Sequence, residues 1–228
     1  MPHSLAELTF RDDGLELRRS LLSPSDIKTA IAALTRFSTT LPAHGIRNAD
    51  VKIPEIAWIA RGDRVLTYAE TLLGNRPRLV RAIAFDKTPA RNWAVTWHQD
   101  KTIATRQQAE LSGWEPWTVK DGTLHVQPPR FVLDAMATLR IHLDPADLEN
   151  GCLQAIAGSH VKGILSPEAI ARSTRKSRPI ACVADAGDAI AMRPLTLHAS
   201  RKATRPSHRR VLHLEYGSDR VFQPFEFI

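Results

Sequence analysis

The sequence predicts a mainly β domain with flanking helices, arranged as a jelly roll. Two observations carry this prediction. Apolar residues recur at helical spacing in the first third of the chain, whereas apolar and polar residues alternate along short stretches in the remainder, with Gly, Pro and Asp between them. Several short strands separated by such turns are typical of a jelly roll. Because the chain has 228 residues and no internal repeat or long linker, we expect one domain over residues 1–228, with its β core at about residues 85–220.

Two helices are predicted in the first third. Ser23 to Asp26 supplies capping residues, and the apolar residues from Ile27 to Phe37 then recur at helical spacing. The second helix runs from about Arg64 to Leu73. Gly74 ends it, because glycine commonly follows the last turn of a helix.

Two alternating stretches place polar side chains along one face of the predicted sheet. Because strand side chains have a period of two, Asn92 to Asp100 places Thr96, His98 and Asp100 on one face and Trp93, Val95 and Trp97 on the other. In the same way, Ala137 to Leu143 places Thr138, Arg140 and His142 opposite Leu139, Ile141 and Leu143. Further short strands are predicted at Leu153 to Ile156, Ile180 to Val183, Asp188 to Met192 and Arg210 to Tyr216.

Composition excludes several classes of protein. No apolar run approaches the roughly 18 residues that a membrane span requires, and the N-terminus lacks the pattern of a secretory signal, so we expect a soluble, cytoplasmic protein. The two cysteines, Cys152 and Cys182, lack the spacing of redox or zinc sites. We interpret both as small core residues in a reducing compartment.

The net charge of +7 raises the question of a nucleic-acid partner. The densest basic stretches are Arg172 to Arg178 and Arg201 to Arg210, and neither is interleaved with the aromatic residues that stack on unpaired bases. A solvated basic face is therefore the favoured interpretation, and a nucleic-acid-binding module is kept as an alternative.

The pair His98 and Asp100 suggests a metal site. Iron(II) that activates oxygen needs two imidazoles and one carboxylate on one face, with open positions for other ligands. A strand His-x-Asp supplies two of the three, because the intervening Gln99 points to the other face. His198, near the end of the segment that starts at Gly187, supplies the third. Alone, a His-x-Asp motif is weak evidence, since nine histidines make accidental matches easy.

Residues after His198 add a binding site for a dicarboxylate. Arg209 follows His198 by eleven positions and offers the charged, bidentate group that a carboxylate requires. Ser200 offers a hydroxyl to the same carboxylate.

At this point the sequence resembles the phytanoyl-CoA dioxygenase family of Fe(II)- and 2-oxoglutarate-dependent oxygenases. Four segments carry the resemblance, in the order and spacing of the family: TWHQD at Thr96 to Asp100, NGCLQAIAGSH at Asn150 to His160, GDAIAMRPLTLHAS at Gly187 to Ser200, and HRRVLHLEY at His208 to Tyr216. The resemblance covers most of the chain from about Phe85 to Tyr216, and the first eighty residues add little.

The resemblance implies a double-stranded β-helix of the cupin-like, jelly-roll kind. It implies iron at His98, Asp100 and His198, and 2-oxoglutarate held by Ser200 and Arg209, with Arg140 as a further co-substrate contact. It also implies reaction with O2, release of succinate and CO2, and hydroxylation of a small-molecule substrate. Position 100 is Asp and not the Ala or Gly of the related halogenases, which favours hydroxylation over halogenation.

Three residues are candidates for substrate contact. Lys87, ahead of the metal strand, could bind an anionic group of the substrate or co-substrate. Trp114 and His125 belong to a segment, Trp114 to Gln127, that could close over the substrate; ordinary aromatic packing under a long loop is the alternative. His142 and His213 are interpreted as core histidines, with pocket lining as the alternative, and His160 as a structural loop residue.

Two other functional classes remain as alternatives. One is a non-catalytic jelly roll that binds a metal or ligand without turnover, and the other is the basic nucleic-acid-binding module. The expected partner is a small molecule, and the basic charge of the chain favours an anionic one. The sequence predicts neither the substrate nor the oligomeric state.

Overall fold

The computed structural model describes residues 4–37, 45–108 and 110–218. Its helices are α1 Phe10–Asp13, α2 Pro24–Phe37, α3 Ala49–Lys52, α4 Pro54–Ala60, α5 Asp63–Leu73, α6 Arg130–Asp134 and α7 Pro167–Lys176, with short 3-10 turns at Leu5–Glu7 and Ser159–Lys162. Its strands are β1 Leu15–Arg18, β2 Ile46–Arg47, β3 Pro77–Lys87, β4 Val95–His98, β5 Ile103–Thr105, β6 Trp117–Lys120, β7 Thr123–Val126, β8 Met136–His142, β9 Leu153–Ala155, β10 Ile180–Cys182, β11 Ala189–Met192, β12 His198–Ser200 and β13 Arg209–Ser218.

Two antiparallel sheets form the jelly roll and confirm the predicted fold class. The larger has six strands in the order β1-β11-β8-β13-β3-β2, and the smaller has four in the order β10-β9-β12-β4. From β3 to β4 and from β8 to β9 the chain passes from the larger sheet to the smaller one, and β11, β12 and β13 alternate between them. A third sheet, β5-β7-β6, carries the segment between β4 and β8.

Both predicted helices form, for the reasons that the sequence suggests. At the start of α2 the Ser23 hydroxyl accepts a hydrogen bond from the Asp26 amide at 3.1 Å. Helix α5 ends at Gly74, which adopts a left-handed conformation with φ of 65°. Strands β1 and β2 were not predicted, and β3 starts at Pro77, earlier than the predicted β core. All three join the larger sheet and therefore take part in the fold.

Apolar side chains divide into layers that leave one end of the space between the sheets open. Helices α2, α4 and α5 cover the outer face of the larger sheet, where Leu139, Ile141, Leu212, Leu214 and Tyr216 are buried. A second cluster fills the space between the sheets around β9, β10 and β11, and it includes the buried Cys182. The remaining space between the sheets is a cavity.

Candidate metal and co-substrate site

The cavity lies between the two sheets and has a volume of about 380 Å³. Polar side chains of β3, β4, β8, β12 and β13 line it. On β8 the predicted alternation explains how: Leu139 and Ile141 face the helices, whereas Arg140 faces the cavity. Within the part of the chain that the structure describes, seven Lys and Arg residues line the cavity and Asp100 is the one acidic residue that does. The cavity is therefore suited to anions.

Three predicted ligands meet at one end of this cavity. His98, at the end of β4, pairs directly with His198 at the start of β12, and their ring centroids are 4.1 Å apart. Asp100 follows β4, with 3.9 Å between its Oδ1 and Nε2 of His98 and 3.6 Å between its Oδ2 and Nε2 of His198. Two ligands that each lie about 2.1 Å from one ion are at most about 4.2 Å apart. The three side chains therefore fit a single metal ion.

Backbone carbonyls orient both imidazoles toward that point. Nδ1 of His98 lies 2.8 Å from the carbonyl oxygen of Thr96, and Nδ1 of His198 lies 2.9 Å from that of Thr196. A carbonyl oxygen only accepts, so each Nδ1 carries the proton and donates. Each Nε2 is left with its lone pair, the arrangement that metal-binding histidines require. Burial lowers the pKa of His198 to about 3, so this imidazole stays neutral.

Asp100 supplies the negative charge of the group. Burial acts to raise the pKa of its carboxyl, but His198, His213, His98 and Arg81 together outweigh burial and hold the pKa below its usual range. Its Oδ2 atom is buried and has no hydrogen-bond partner among the described residues. An ionised buried oxygen without a partner is costly, and a bound cation would satisfy it.

Gln99, which lies between His98 and Asp100, anchors both ligands to neighbouring loops. Its amide nitrogen donates to the carbonyls of Gly163 and Leu195, both at 2.8 Å, and its amide oxygen accepts from the Leu165 amide. These contacts fix the backbone that carries His98 and Asp100.

One detail of β4 differs from the predicted alternation. The register between β12 and β4 shifts: His198 pairs with His98, but Ser200 pairs with Val95. The extra residue is a bulge, which disrupts the strict period of two. As a result Val95, which was predicted on the opposite face, lines the cavity together with His98. Thr96, which was predicted on the same face as His98, is exposed to solvent.

A cluster of three cations lies further along the cavity. Arg209 and Lys87 are paired across β13 and β3, and both are buried, as is Arg140 on β8. The Nε atoms of Arg209 and Arg140 are buried without hydrogen-bond partners in the described chain. Nζ of Lys87 donates to Oγ of Ser200 at 3.1 Å and to the carbonyl of Arg201 at 3.0 Å. The structure thus brings Ser200, Arg209, Arg140 and Lys87 together.

These cations destabilise one another's charges. Burial, followed by the charges of Arg209 and Arg140, lowers the pKa of Lys87 to about 7. Burial and Arg140 lower the pKa of Arg209 to about 10. A dicarboxylate in this space would satisfy the free guanidinium nitrogens and offset the repulsion.

Three further residues complete the site: Arg81 and Glu215, which the sequence did not single out, and His213, for which pocket lining was the alternative to a core role. His213 lines the cavity, with its Nε2 3.8 Å from Oδ2 of Asp100. Its Nδ1 accepts from Nη1 of Arg140 at 2.8 Å, so its Nε2 carries the proton and donates to Oε1 of Glu215 at 2.9 Å. Glu215 also forms a buried ion pair with Arg81. Because the Nε2 of His213 is already protonated, this side chain orients Arg140 in place of binding a metal.

The other histidines and the predicted lid residues lie elsewhere. Trp114 is buried in a separate apolar cluster with Ile103 and Val126, and does not line the cavity. His125 on β7 is buried, with its Nδ1 3.0 Å from the Thr123 carbonyl. Buried His142 and His160 are also outside the lining. Of the three residues suggested for substrate contact, Lys87 is the one that lines the cavity.

The family of the chain follows from comparison with known proteins. A family model described as phytanoyl-CoA dioxygenase (PhyH) matches residues 10–211. The chain belongs to the phytanoyl-CoA dioxygenase family. The match confirms the resemblance carried by the four sequence segments, and it includes every residue of the cavity lining except His213. A comparison with curated proteins finds no match.

Several solved structures share the fold. AviO1 from Streptomyces viridochromogenes Tue57 is 21% identical over 92% of this chain and 92% of its own, with a TM-score of 0.69. SnoK, a non-haem α-ketoglutarate-dependent carbocyclase from nogalamycin biosynthesis, is 18% identical over 96% and 87%, with a TM-score of 0.70. The epimerase SnoN, in complex with Fe3+, α-ketoglutarate and nogalamycin RO, is 16% identical over 92% and 80%, with a TM-score of 0.69. At these identities the likeness establishes the jelly-roll fold.

Two further observations concern membrane-spanning helices and the basic stretch near the C-terminal strand. Among the described residues no helix is long and apolar enough to cross a membrane. Of the basic stretch Arg201 to Arg210, Arg209 points into the cavity and Arg210 binds both carboxylate oxygens of Asp144. Two of its basic residues therefore have partners or roles inside the protein.

Proposed function

We propose that this protein is an Fe(II)- and 2-oxoglutarate-dependent dioxygenase that hydroxylates a small-molecule substrate and releases succinate and CO2. One observation carries the proposal. A His-Asp-His group with both imidazoles oriented by carbonyls shares a single cavity with a buried cluster of cations that lack an anion. Membership of the phytanoyl-CoA dioxygenase family supports the same conclusion.

His98, Asp100 and His198 would hold the iron. Bound iron supplies the oxidising chemistry with O2, and three protein ligands on one face leave positions for the other reactants. The chain's own contribution is geometric: Thr96 and Thr196 fix the imidazoles, Gln99 fixes the backbone, and Asp100 balances the cation's charge. Because His98 remains partly exposed, substrate can reach this end of the cavity.

Arg209 and Ser200 would bind the distal carboxylate of 2-oxoglutarate. The guanidinium of Arg209 is held at the start of β13 with its Nε free, and the Ser200 hydroxyl, which accepts from Lys87, keeps its own proton to donate. Arg140, held by His213, and Lys87 would add positive charge beside the same ligand. The 2-keto acid end would then lie toward His98, Asp100 and His198.

Hydroxylation is the reaction we propose, because Asp100 occupies the place that a halide would need. SnoK and SnoN, which share the fold, are named as a carbocyclase and an epimerase. Product analysis therefore belongs to the test: a product that gains one oxygen atom supports hydroxylation, whereas an isomer or a ring-closed product would correct the reaction and leave the site unchanged.

The test is an anaerobic titration of the metal-free protein with Fe(II) and 2-oxoglutarate, followed through the weak visible charge-transfer band of the chelate. We expect the band in the wild type and in His208→Ala, a histidine whose side chain is mostly exposed beside Asp86. We expect no band in His98→Ala. If the folded wild-type protein gives no band, the iron site is wrong, and salt-dependent binding to nucleic acid becomes the next measurement.

A further inference from the structure

The cavity has a second group of cations, distinct from Lys87, Arg140 and Arg209. Lys120, Lys101 and Arg47 line the same cavity. Lys101 directly follows the proposed ligand Asp100, and Lys120 ends strand β6. We name these three residues the outer cations. Each is partly exposed, whereas the cations of the proposed co-substrate site are buried.

Contacts with its surroundings hold the β6–β7 hairpin against the cavity. Nζ of Lys120 donates to Oγ1 of Thr102 at 3.4 Å. Nε of Arg47 lies 2.6 Å from Oδ2 of Asp121 in the hairpin turn, and the side-chain Nδ2 of Asn48 donates to Oγ1 of Thr123 at 2.9 Å. The hairpin and β2 therefore form one wall of the cavity.

The charges of the outer cations are poorly balanced. Among the described residues no carboxylate forms an ion pair with Lys120 or Lys101, and the partner of Arg47, Asp121, is largely exposed. Burial, followed by Arg81 and Arg47, lowers the pKa of Lys120. Arg81 itself is neutralised by Glu215. Holding a half-buried ammonium beside other cations costs free energy unless an anion joins it.

The two groups of cations contact different parts of the cavity wall. Lys87 donates to Ser200 on β12 and to the carbonyl of Arg201. Lys120 donates instead to Thr102, and Arg47 binds Asp121 in the turn between β6 and β7. The outer cations therefore line a different wall of the cavity. A single 2-oxoglutarate would leave them without an anion.

We propose that the outer cations bind an anionic group of the primary substrate, which is therefore a small acid carrying a carboxylate or phosphate. This inference rests on the proposed function, because it takes the other cations to be occupied by 2-oxoglutarate. At about 380 Å³ the cavity is near the lower end of the range for ligand sites, about 300 to 1,000 Å³. It holds co-substrate and substrate together, so the anionic group and the reacting carbon belong to one compact molecule.

The experiment uses the full chain, loaded anaerobically with Fe(II) and saturated with 2-oxoglutarate so that Lys87, Arg140 and Arg209 are occupied. Butyrate, methyl phosphate and the uncharged butyramide are titrated separately at constant ionic strength. Binding is followed by calorimetry and by the shift of the chelate band. The variants are Lys120→Met, Lys120→Arg and the control Lys176→Met, which makes the same change on an exposed residue of α7.

We expect at least one of the two anions to bind the wild type and Lys176→Met, with butyramide much weaker. The loss of one charge-assisted contact should weaken that binding roughly tenfold in Lys120→Met, and Lys120→Arg should restore most of it. Preference for butyrate indicates a carboxylate substrate, and preference for methyl phosphate indicates a phosphate.

Three results would overturn the inference: equal anion binding in Lys120→Met, equal binding of butyramide, or no binding of either anion while the chelate band is normal. In each case the proposed function stands. Absence of the chelate band before any probe is added contradicts the proposed function itself, and the inference about the substrate falls with it.

Discussion

At the scale of single residues, the site is organised by pairs that face each other across a strand ladder. Arg209 faces Lys87, His213 faces Arg140, and His198 faces His98. The pair of Arg209 and Lys87 brings two cations together, and like charges directly opposite each other are destabilising. The pair of His198 and His98 brings two metal-binding side chains together beside Asp100. In the third pair His213 accepts a hydrogen bond from Arg140 and orients it. An anion would offset the repulsion in the first pair, and a metal ion would join the second.

Replacing Arg209 tests the co-substrate side of this arrangement. We expect Arg209→Ala to lose about 2 to 5 kcal/mol of 2-oxoglutarate binding, because the distal carboxylate is left without its charged partner. Titration of the chelate band measures the affinity. Arg178→Ala, which removes an exposed arginine, serves as the control. An unchanged affinity in Arg209→Ala would exclude this residue from the co-substrate site.

The pKa of Lys87, about 7, predicts a pH dependence of 2-oxoglutarate binding. A bound dianion raises this pKa, so above pH 7 binding takes up a proton and the affinity falls by up to about tenfold per pH unit. The neighbouring Arg209 stays charged, and His198 stays neutral, through this range. The slope therefore belongs to Lys87.

Calorimetry at pH 8, in two buffers of different ionisation enthalpy, measures the proton uptake. We expect the wild type to take up about one proton for each 2-oxoglutarate bound. In Lys87→Met the uptake should vanish and the affinity should become flat with pH. Proton uptake that survives this substitution would assign the titration to another group.

At the scale of elements, a short turn near the N-terminus supports the segment that leads into β12, the strand that carries His198. Gly14 ends α1 with φ of 67°, and its carbonyl accepts from Oγ1 of Thr196 at 2.8 Å and from the Arg193 amide at 3.0 Å. A Cβ at Gly14 would lie 2.3 Å from Nδ1 of His160. The turn thus contacts both the segment before His198 and the loop that contains His160.

A matched pair of substitutions separates packing from backbone conformation at this turn. Gly74 ends α5 with nearly the same φ, but a Cβ there would meet nothing within 4 Å. Gly74→Ala should cost about 1 kcal/mol of unfolding free energy through the left-handed backbone alone. Gly14→Ala should cost about 1 to 3 kcal/mol more, because the His160 ring must move. Urea denaturation of both variants decides this, and equal costs would mean that the ring adapts freely.

Local spacing was enough to predict some of these features, and long-range register explains the rest. His98 and Asp100 were predicted because they are two residues apart on one strand. The regular alternation of β8 predicted the polar face of Arg140, and the family resemblance implied its role. The β4 bulge depends on how β12 pairs with β4, which no local pattern encodes. His213 was interpreted as a core histidine because its neighbours in sequence are apolar.

The outer cations were missed for a related reason. Lys120 and Arg47 come from segments with no chemical motif, and only the hairpin and β2 bring them to the cavity. Trp114 was suggested for substrate contact because aromatic residues in loops often serve binding. In the structure it fills a local apolar cluster, the alternative that the sequence also allowed.

At the scale of the whole molecule, metal binding should raise the stability of the folded protein. Anything that binds only the folded state stabilises it by mass action, by about 2.7 kcal/mol at a hundredfold excess over its Kd. We expect Fe(II), added anaerobically, to raise the melting temperature of the wild type. Asp100→Asn keeps the size of the side chain but removes the charged ligand, so this rise should disappear. A full shift in Asp100→Asn would place the metal elsewhere.

The position of β13 also determines when the molecule can assemble. This strand lies between β8 and β3 in the larger sheet, yet it is the last strand of the described chain to be synthesised. Until it emerges from the ribosome, β3 and β8 each have an unpaired edge, and such edges promote association between chains. Arg209, His213 and Glu215 arrive on the same strand. Chains that lack β13 therefore have neither the complete larger sheet nor Arg209, the proposed partner of the co-substrate.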